Sequence, residues 1–204
     1  VDMGWTGILI PEEYGGSDLG YLTFGVVLEE LGKQLTASPL FASAYVGATA
    51  LLLAGTDTQK ADYLPKIVDG SAIFTLAVDE GPRHAPLQTM LKADAQGDQY
   101  VLSGSKTLVP EGMAATHFVV VARNSGSAGD AQGLSLFIVP SDAPGLTRTA
   151  ITTMDSRGYA ALQFNDVTVP ASALMGPAGQ VADVLDELLD RARAGLGAEM
   201  LGVG

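Results

Sequence analysis

Few residues in this chain could do chemistry. There are two histidines, His84 and His117, and no cysteine. A histidine metal cluster, thiolate ligation, thiol catalysis and a disulfide framework are therefore all closed to it. No metal-ligating residue is assigned. Glu12 and Glu13 form a carboxylate pair of the kind general acid–base chemistry uses, but beside Gly15-Gly16 they read as the solvated entry to a helix. Glu199 stands among Gly and Ala residues on the last helical segment and reads as structural, so no catalytic residue is assigned. His117 precedes the apolar run from Phe118 to Ala122 and reads as a strand-edge residue. Arg83 and His84 place two cationic or donor side chains side by side.

The overall charge narrows the partners. With 23 acidic residues against 11 basic ones the net charge is -12, a field that repels nucleic acid and anionic membrane surfaces. The longest uncharged run, from Leu40 to Gly55, is too short to span a bilayer comfortably and reads as a buried helix. The chain starts at Val1 and stops at Gly204 inside a helical pattern, so it reads as a piece of something longer. The missing cysteines fit a reducing cytoplasm, which is the expected compartment.

Three regions differ in hydrophobic period. Tyr21, Phe24, Val27, Leu28 and Leu31 recur at helical spacing with Gly32 as the expected stop. Pro39 starts a second helix that is apolar nearly all round, and Gly55 closes it. Thr56 and Gln59 have capping-box spacing for a third, which Pro65 is expected to break or kink. From Ser71 the style changes. Residues 73–78, 87–95, 99–103, 117–122, 134–139 and 160–169 read as strands, with a hairpin turn at Gln96-Gly97-Asp98 and a loop at 124–133. Short strands without intervening helices predict an antiparallel barrel or sandwich. From Gln180 the helical period returns. The fold class is therefore α+β, with a helical segment over 1–71, a β-barrel-like domain over 72–179 and the first helix of a further helical domain over 180–204.

Particular strings along this order resemble the acyl-CoA dehydrogenase family. They are Gly4-Trp5 through Ile10-Pro11-Glu12-Glu13-Tyr14-Gly15-Gly16, then Gln59-Lys60 with Tyr63-Leu64-Pro65, then Gly104-Ser105-Lys106. Phe137-Ile138-Val139 with Pro144-Gly145 follows, and last comes Phe164-Asn165-Asp166-Val167-Thr168-Val169-Pro170 ending at Leu174-Met175-Gly176. Their order and spacing match the family over nearly the whole chain. The resemblance implies an FAD-dependent α,β-desaturation of an acyl-CoA thioester, in which a carboxylate takes the α-proton and the flavin the hydride. It also implies that the family's catalytic glutamate lies beyond this chain. The partners implied are an acyl-CoA substrate, homo- or hetero-oligomers of similar subunits and, for an active protein, an electron-transfer flavoprotein.

The family's flavin strings are altered here. Its Thr-Glu-Pro-x-x-Gly-Ser-Asp loop aligns with Val78-Asp79-Glu80-Gly81-Pro82-Arg83-His84-Ala85. The hydroxyl is lost at Val78, the glycine at Arg83, and Pro82 has no N–H to offer. The Trp-Ile-Thr-Asn string aligns with Leu108-Val109-Pro110-Glu111, without indole or hydroxyl. The cofactor-facing positions that the resemblance carries over are Ala77, Val78, Arg83, His84, Leu108 and Pro110. Either Arg83 and His84 replace the lost backbone cradle and pair with the pyrophosphate of FAD or CoA, or both side chains stand in solvent; in an active flavoenzyme, side chains such as Arg83 or Lys106 would compensate for the lost contacts. The corresponding alternatives for the protein are a flavoenzyme with a divergent cradle and a non-catalytic, flavin-poor subunit of a heteromeric acyl-CoA dehydrogenase.

Overall fold

Helical and strand periods partition the chain as the residue patterns require. A computed structural model describes residues 2–155 and 157–204. It divides into two compact units, one of Val1–Phe74 with Val184–Gly204 and one of Thr75–Asp183.

In the first unit, α1 (Gly20–Lys33) buries Phe24, Leu28 and Gly32. The helix ends one residue after Gly32, at Lys33. A Cβ at Gly32 would lie 2.1 Å from the Glu199 carbonyl oxygen on α4 (Ala182–Val203), so the residue is a point of close helix approach. The second predicted helix opens as a π-helical stretch, Phe41–Gly47, and continues as α2 (Ala48–Ala54). Tyr45 of this stretch is held by ring contacts with Tyr21, Phe24 and Phe41 and donates its hydroxyl to the Arg191 carbonyl at 3.0 Å. Thr56 caps α3 (Asp57–Val68) with a complete capping box. Pro65 does not end α3, which runs on to Val68; proline removes a single N–H donor, and burial of Leu64 and Ile67 holds the last turn.

In the second unit, eight strands form one sheet in the order β6-β7-β3-β2-β4-β5-β8, with β1 pairing β4. The strands are β1 (Phe74–Ala77), β2 (Lys92–Gln96), β3 (Gln99–Val109), β4 (His117–Arg123), β5 (Leu134–Pro140), β6 (Leu146–Ile151), β7 (Tyr159–Pro170) and β8 (Leu174–Met175). The β2–β3 hairpin turns at Gly97, φ 64°, with Gln96 opposite Gln99. Its core is lined by Leu102, Phe118, Val120, Phe137, Val139, Phe164 and Val167, all at most 1% exposed.

The α+β class holds, and the sheet corrects two details of the predicted barrel or sandwich. It is mixed, because β2 and β4 pair in parallel through Lys92 and Arg123. The cause is topological. β7 takes the free edge of β3 along most of its length, so β4, returning antiparallel to β3, can only pair with β2 on the opposite edge. Among the described residues the sheet is also not closed, since β6 and β8 end the path. Two strands were not foreseen: β6, whose residues are only half-buried or exposed, and the two-residue β8. Residues 87–91 are not strand. Pro86 starts a short 3-10 turn, and β2 begins only at Lys92.

Candidate functional site

The candidate site is the loop from Val78 to Leu91 and the stretch of β3 beside it. β1 delivers the buried Ala77 and Val78 to the start of the loop. β3 lies alongside: the Thr107 N–H donates to the Asp79 carbonyl at 2.7 Å, and Thr75 Oγ1 donates to the Pro110 carbonyl at 2.6 Å. The structure thus brings together the two strings singled out by sequence, around Val78 and around Leu108–Pro110. The β3–β7 register shifts between Lys106 and Val109. Leu108 falls in that irregularity with φ 49° and its side chain exposed.

The electrostatic centre is Lys106. Its side chain has no exposed surface, and Nζ donates to the Val78 carbonyl and to Glu80 Oε1, both at 2.8 Å. Burial pushes the ammonium down to about 8, while the neighbouring Glu80 and Asp79 carboxylates act in the opposite direction. Glu80 also accepts the Met90 N–H at Oε2 (2.8 Å) and the Leu91 N–H at Oε1 (2.9 Å). Asp79 accepts the Ala85 N–H at Oδ1 (3.1 Å), and its Oδ2 lies 2.9 Å from His84 Nδ1.

Arg83 and His84 are exposed, His84 lying against Asp79. Glu111, at φ 52°, has its carboxyl raised by burial, against the attraction of Arg157. Glu12 and Glu13 are exposed on a short 3-10 turn, and His117 opens β4 with Nδ1 2.9 Å from Thr116 Oγ1. Glu199 is buried within α4.

Sequence reasoning missed Arg123. It is 7% exposed, and its guanidinium donates to five backbone carbonyls. Nε reaches Thr89 at 2.8 Å, Nη2 reaches Leu87 at 2.9 Å and Asp130 at 3.1 Å, and Nη1 reaches Gln132 at 3.0 Å and Ser125 at 3.4 Å. One side chain on β4 therefore ties the end of the 78–91 loop to the loop at 124–133. A charged residue ending an otherwise apolar strand was the available signal.

These residues do not fit the flavin cradle that the resemblance implies. Val78, Leu108 and Pro110 bring no hydroxyl or indole to it. Within the aligned loop, the Ala85 amide already bonds to the Asp79 carboxylate. Among the described residues no group of His, Cys, Asp and Glu could hold a metal ion, and no helix is long and apolar enough to cross a membrane.

Comparison with known proteins agrees with this architecture. Residues 1–71 match the acyl-CoA dehydrogenase N-terminal domain and residues 79–167 the acyl-CoA dehydrogenase middle domain. The chain is 34% identical to acryloyl-CoA reductase (NADH) of Anaerotignum propionicum, over 99% of this chain and 53% of that protein. It superposes on butyryl-CoA dehydrogenase from Megasphaera elsdenii with a TM-score of 0.90 and 29% identity, over 98% of this chain and 55% of that one. It superposes on the Tcur3481-Tcur3483 steroid ACAD with a TM-score of 0.88 and 28% identity, over 99% and 52%. The chain thus spans about half the length of the proteins it matches. In fold, motif order and sequence, it belongs to the acyl-CoA dehydrogenase family.

Proposed function

We infer that the full-length protein works in an acyl-CoA dehydrogenase assembly as its flavin-poor, non-catalytic subunit, pairing with a homologous subunit that carries the intact flavin strings and the base. The observation that supports this reading is the loss of donors where the cradle should be. Val78 and Pro110 have no hydroxyl, Leu108 no indole, and the Arg83 side chain is exposed while His84 lies against Asp79, so the two do not converge on a shared site. The substrate class is an acyl-CoA thioester, the assembly a hetero-oligomer and the compartment the cytoplasm.

FAD-dependent α,β-desaturation by this chain's own parent is the second reading, with an electron-transfer flavoprotein as electron acceptor. Its support is the likeness to butyryl-CoA dehydrogenase, with a TM-score of 0.90 over 98% of the chain. Expressing the full-length protein alone and recording its visible spectrum separates the two. The first reading expects colourless protein that acquires flavin only on co-expression with a homologue keeping the threonine and glycine of the loop. Bound flavin bleached by an acyl-CoA, in protein expressed alone, would sink it.

A further inference from the structure

The π-helical stretch Phe41–Gly47 steps five residues per hydrogen bond where the chain around it steps four. The Ser43 and Gly55 N–H groups reach back four residues, to the Pro39 and Leu51 carbonyls, each at 2.8 Å, whereas the Ala48 N–H reaches back five to the Ser43 carbonyl and is shared with that of Tyr45. Such wide turns are rare, and where the step returns to four a carbonyl loses its regular N–H partner. The seven residues hold no proline and a single glycine, so the cause lies in what packs on them.

The contacts form a directed relay. The Thr49 hydroxyl has one proton, and it goes to the Tyr45 carbonyl at 2.6 Å. Thr49 Oγ1 therefore accepts from the Tyr21 hydroxyl, 3.0 Å away, which leaves Tyr21 to accept from Arg191 Nη1 at 2.8 Å. The relay closes on itself, because the Tyr45 hydroxyl donates to the Arg191 carbonyl at 3.0 Å. The Tyr45 ring fits there only because residue 195 of α4 is glycine: a Cβ would lie 2.7 Å from the ring Cζ. Ser43 Oγ anchors the other side by accepting the Phe74 N–H at 3.0 Å.

We propose that the 41–47 stretch is a register switch, held in its five-residue step by α4 through Arg191, Tyr21 and Thr49. Without the relay the stretch relaxes to the ordinary α-helical step, which turns the residues before Thr49 by about 100° about the helix axis and takes Tyr45 off α4. Docking of α4 and the register of the second helix are thus one equilibrium. The proposal concerns the helical unit alone and stands under either reading of the flavin site.

The test uses the full-length protein. Thr49→Val keeps the side-chain shape without the hydroxyl, and Thr49→Ser keeps the hydroxyl. In crystal structures, Thr49→Val is expected to step four residues per bond through 41–47 and to part the Tyr45 hydroxyl from the Arg191 carbonyl, while Thr49→Ser retains the five-residue step. A Thr49→Val structure with the Ala48–Ser43 and Tyr45–Arg191 bonds in place overturns the proposal, as does a Thr49→Ser structure that has lost them. Should Thr49→Val not fold, Tyr21→Phe decides, since it removes the middle hydroxyl of the relay and keeps the ring. Its amides at 41–49 should exchange with solvent roughly five- to tenfold faster than in the wild type, the worth of one net hydrogen bond, with those of α3 unchanged. Unchanged exchange at 41–49, or equal acceleration in α3, overturns the proposal.

Discussion

Lys106 should make the stability of the β domain depend on alkaline pH, and the sign follows from its burial. In the unfolded chain its ammonium titrates near 10.5, and in the folded protein near 8. Between these values the unfolded state binds more protons than the folded state, so stability rises with pH across that window. Below about pH 8 the folded state carries the full penalty of a buried ammonium, and above about pH 10.5 that penalty is gone. The difference corresponds to about 3 kcal/mol. With a urea slope of about 2 kcal/mol per molar, the midpoint moves by about 1.5 M. Lys106→Met keeps most of the stem volume and has nothing to titrate. Urea unfolding of both proteins at a series of pH values between 7 and 10.5 isolates the effect, because other lysines and tyrosines contribute equally to each. The wild-type midpoint, relative to Lys106→Met, should climb as pH rises. Parallel curves would show that Lys106 keeps its ordinary proton affinity, and the account of the site as a sealed ammonium would fail with it.

Three further outcomes test the packing. Arg123→Ala removes the donor to five carbonyls and should cost about 3 kcal/mol, with faster amide exchange through 124–133; Arg123→Lys keeps the charge without the fork and should recover only part of this. Gly32→Ala gains about 1 kcal/mol of helix propensity, but its Cβ meets the Glu199 carbonyl oxygen at 2.1 Å, so unfolding measurements should show net destabilisation of about 1–2 kcal/mol. Thr56→Ala breaks the capping box of α3 and should lower stability by about 1 kcal/mol in chemical denaturation.

Much of the fold was legible because local pattern and tertiary burial agree in it. Phe24 and Leu28 mark the buried stripe of α1, β4 and β5 are continuous apolar runs, and the Thr56–Gln59 box forms as its spacing predicts. What local pattern could not carry was pairing. The parallel contact of β2 with β4 follows from which strand claims the other edge of β3, a choice made by β7 some sixty residues later. Gly32 reads only as a helix stop until α4, far along the chain, shows why it has no side chain. β6 stayed hidden because an edge strand with little burial has weak hydrophobic alternation. At the site, the residues that stood out by type, Arg83 and His84, lie in solvent or against Asp79. The residues that carry the electrostatics, Lys106, Glu80 and Arg123, are defined by burial and by their partners.

An open phosphate loop keeps several N–H groups without protein partners until its ligand arrives, and each such group, when shielded from water, costs about 1–3 kcal/mol. A loop that never receives the ligand would carry that cost permanently. Asp79 and Glu80 remove it by supplying carboxylate oxygens to Ala85, Met90 and Leu91. The Glu80 charge also offsets part of the penalty of burying Lys106. In an acidic chain these two carboxylates look no different from solvated surface charge. Only their geometry separates them, because they point inward onto backbone amides, whereas Asp183 and Asp186 on α4 stand in solvent. Under the flavin-poor reading, a hydroxyl restored at Val78 or Pro110 alone should not restore flavin binding. Val78→Thr together with Pro110→Thr, assayed by flavin titration, is expected on that reading to leave the protein colourless; flavin uptake by the double variant would show that the missing hydroxyls alone keep the cofactor out.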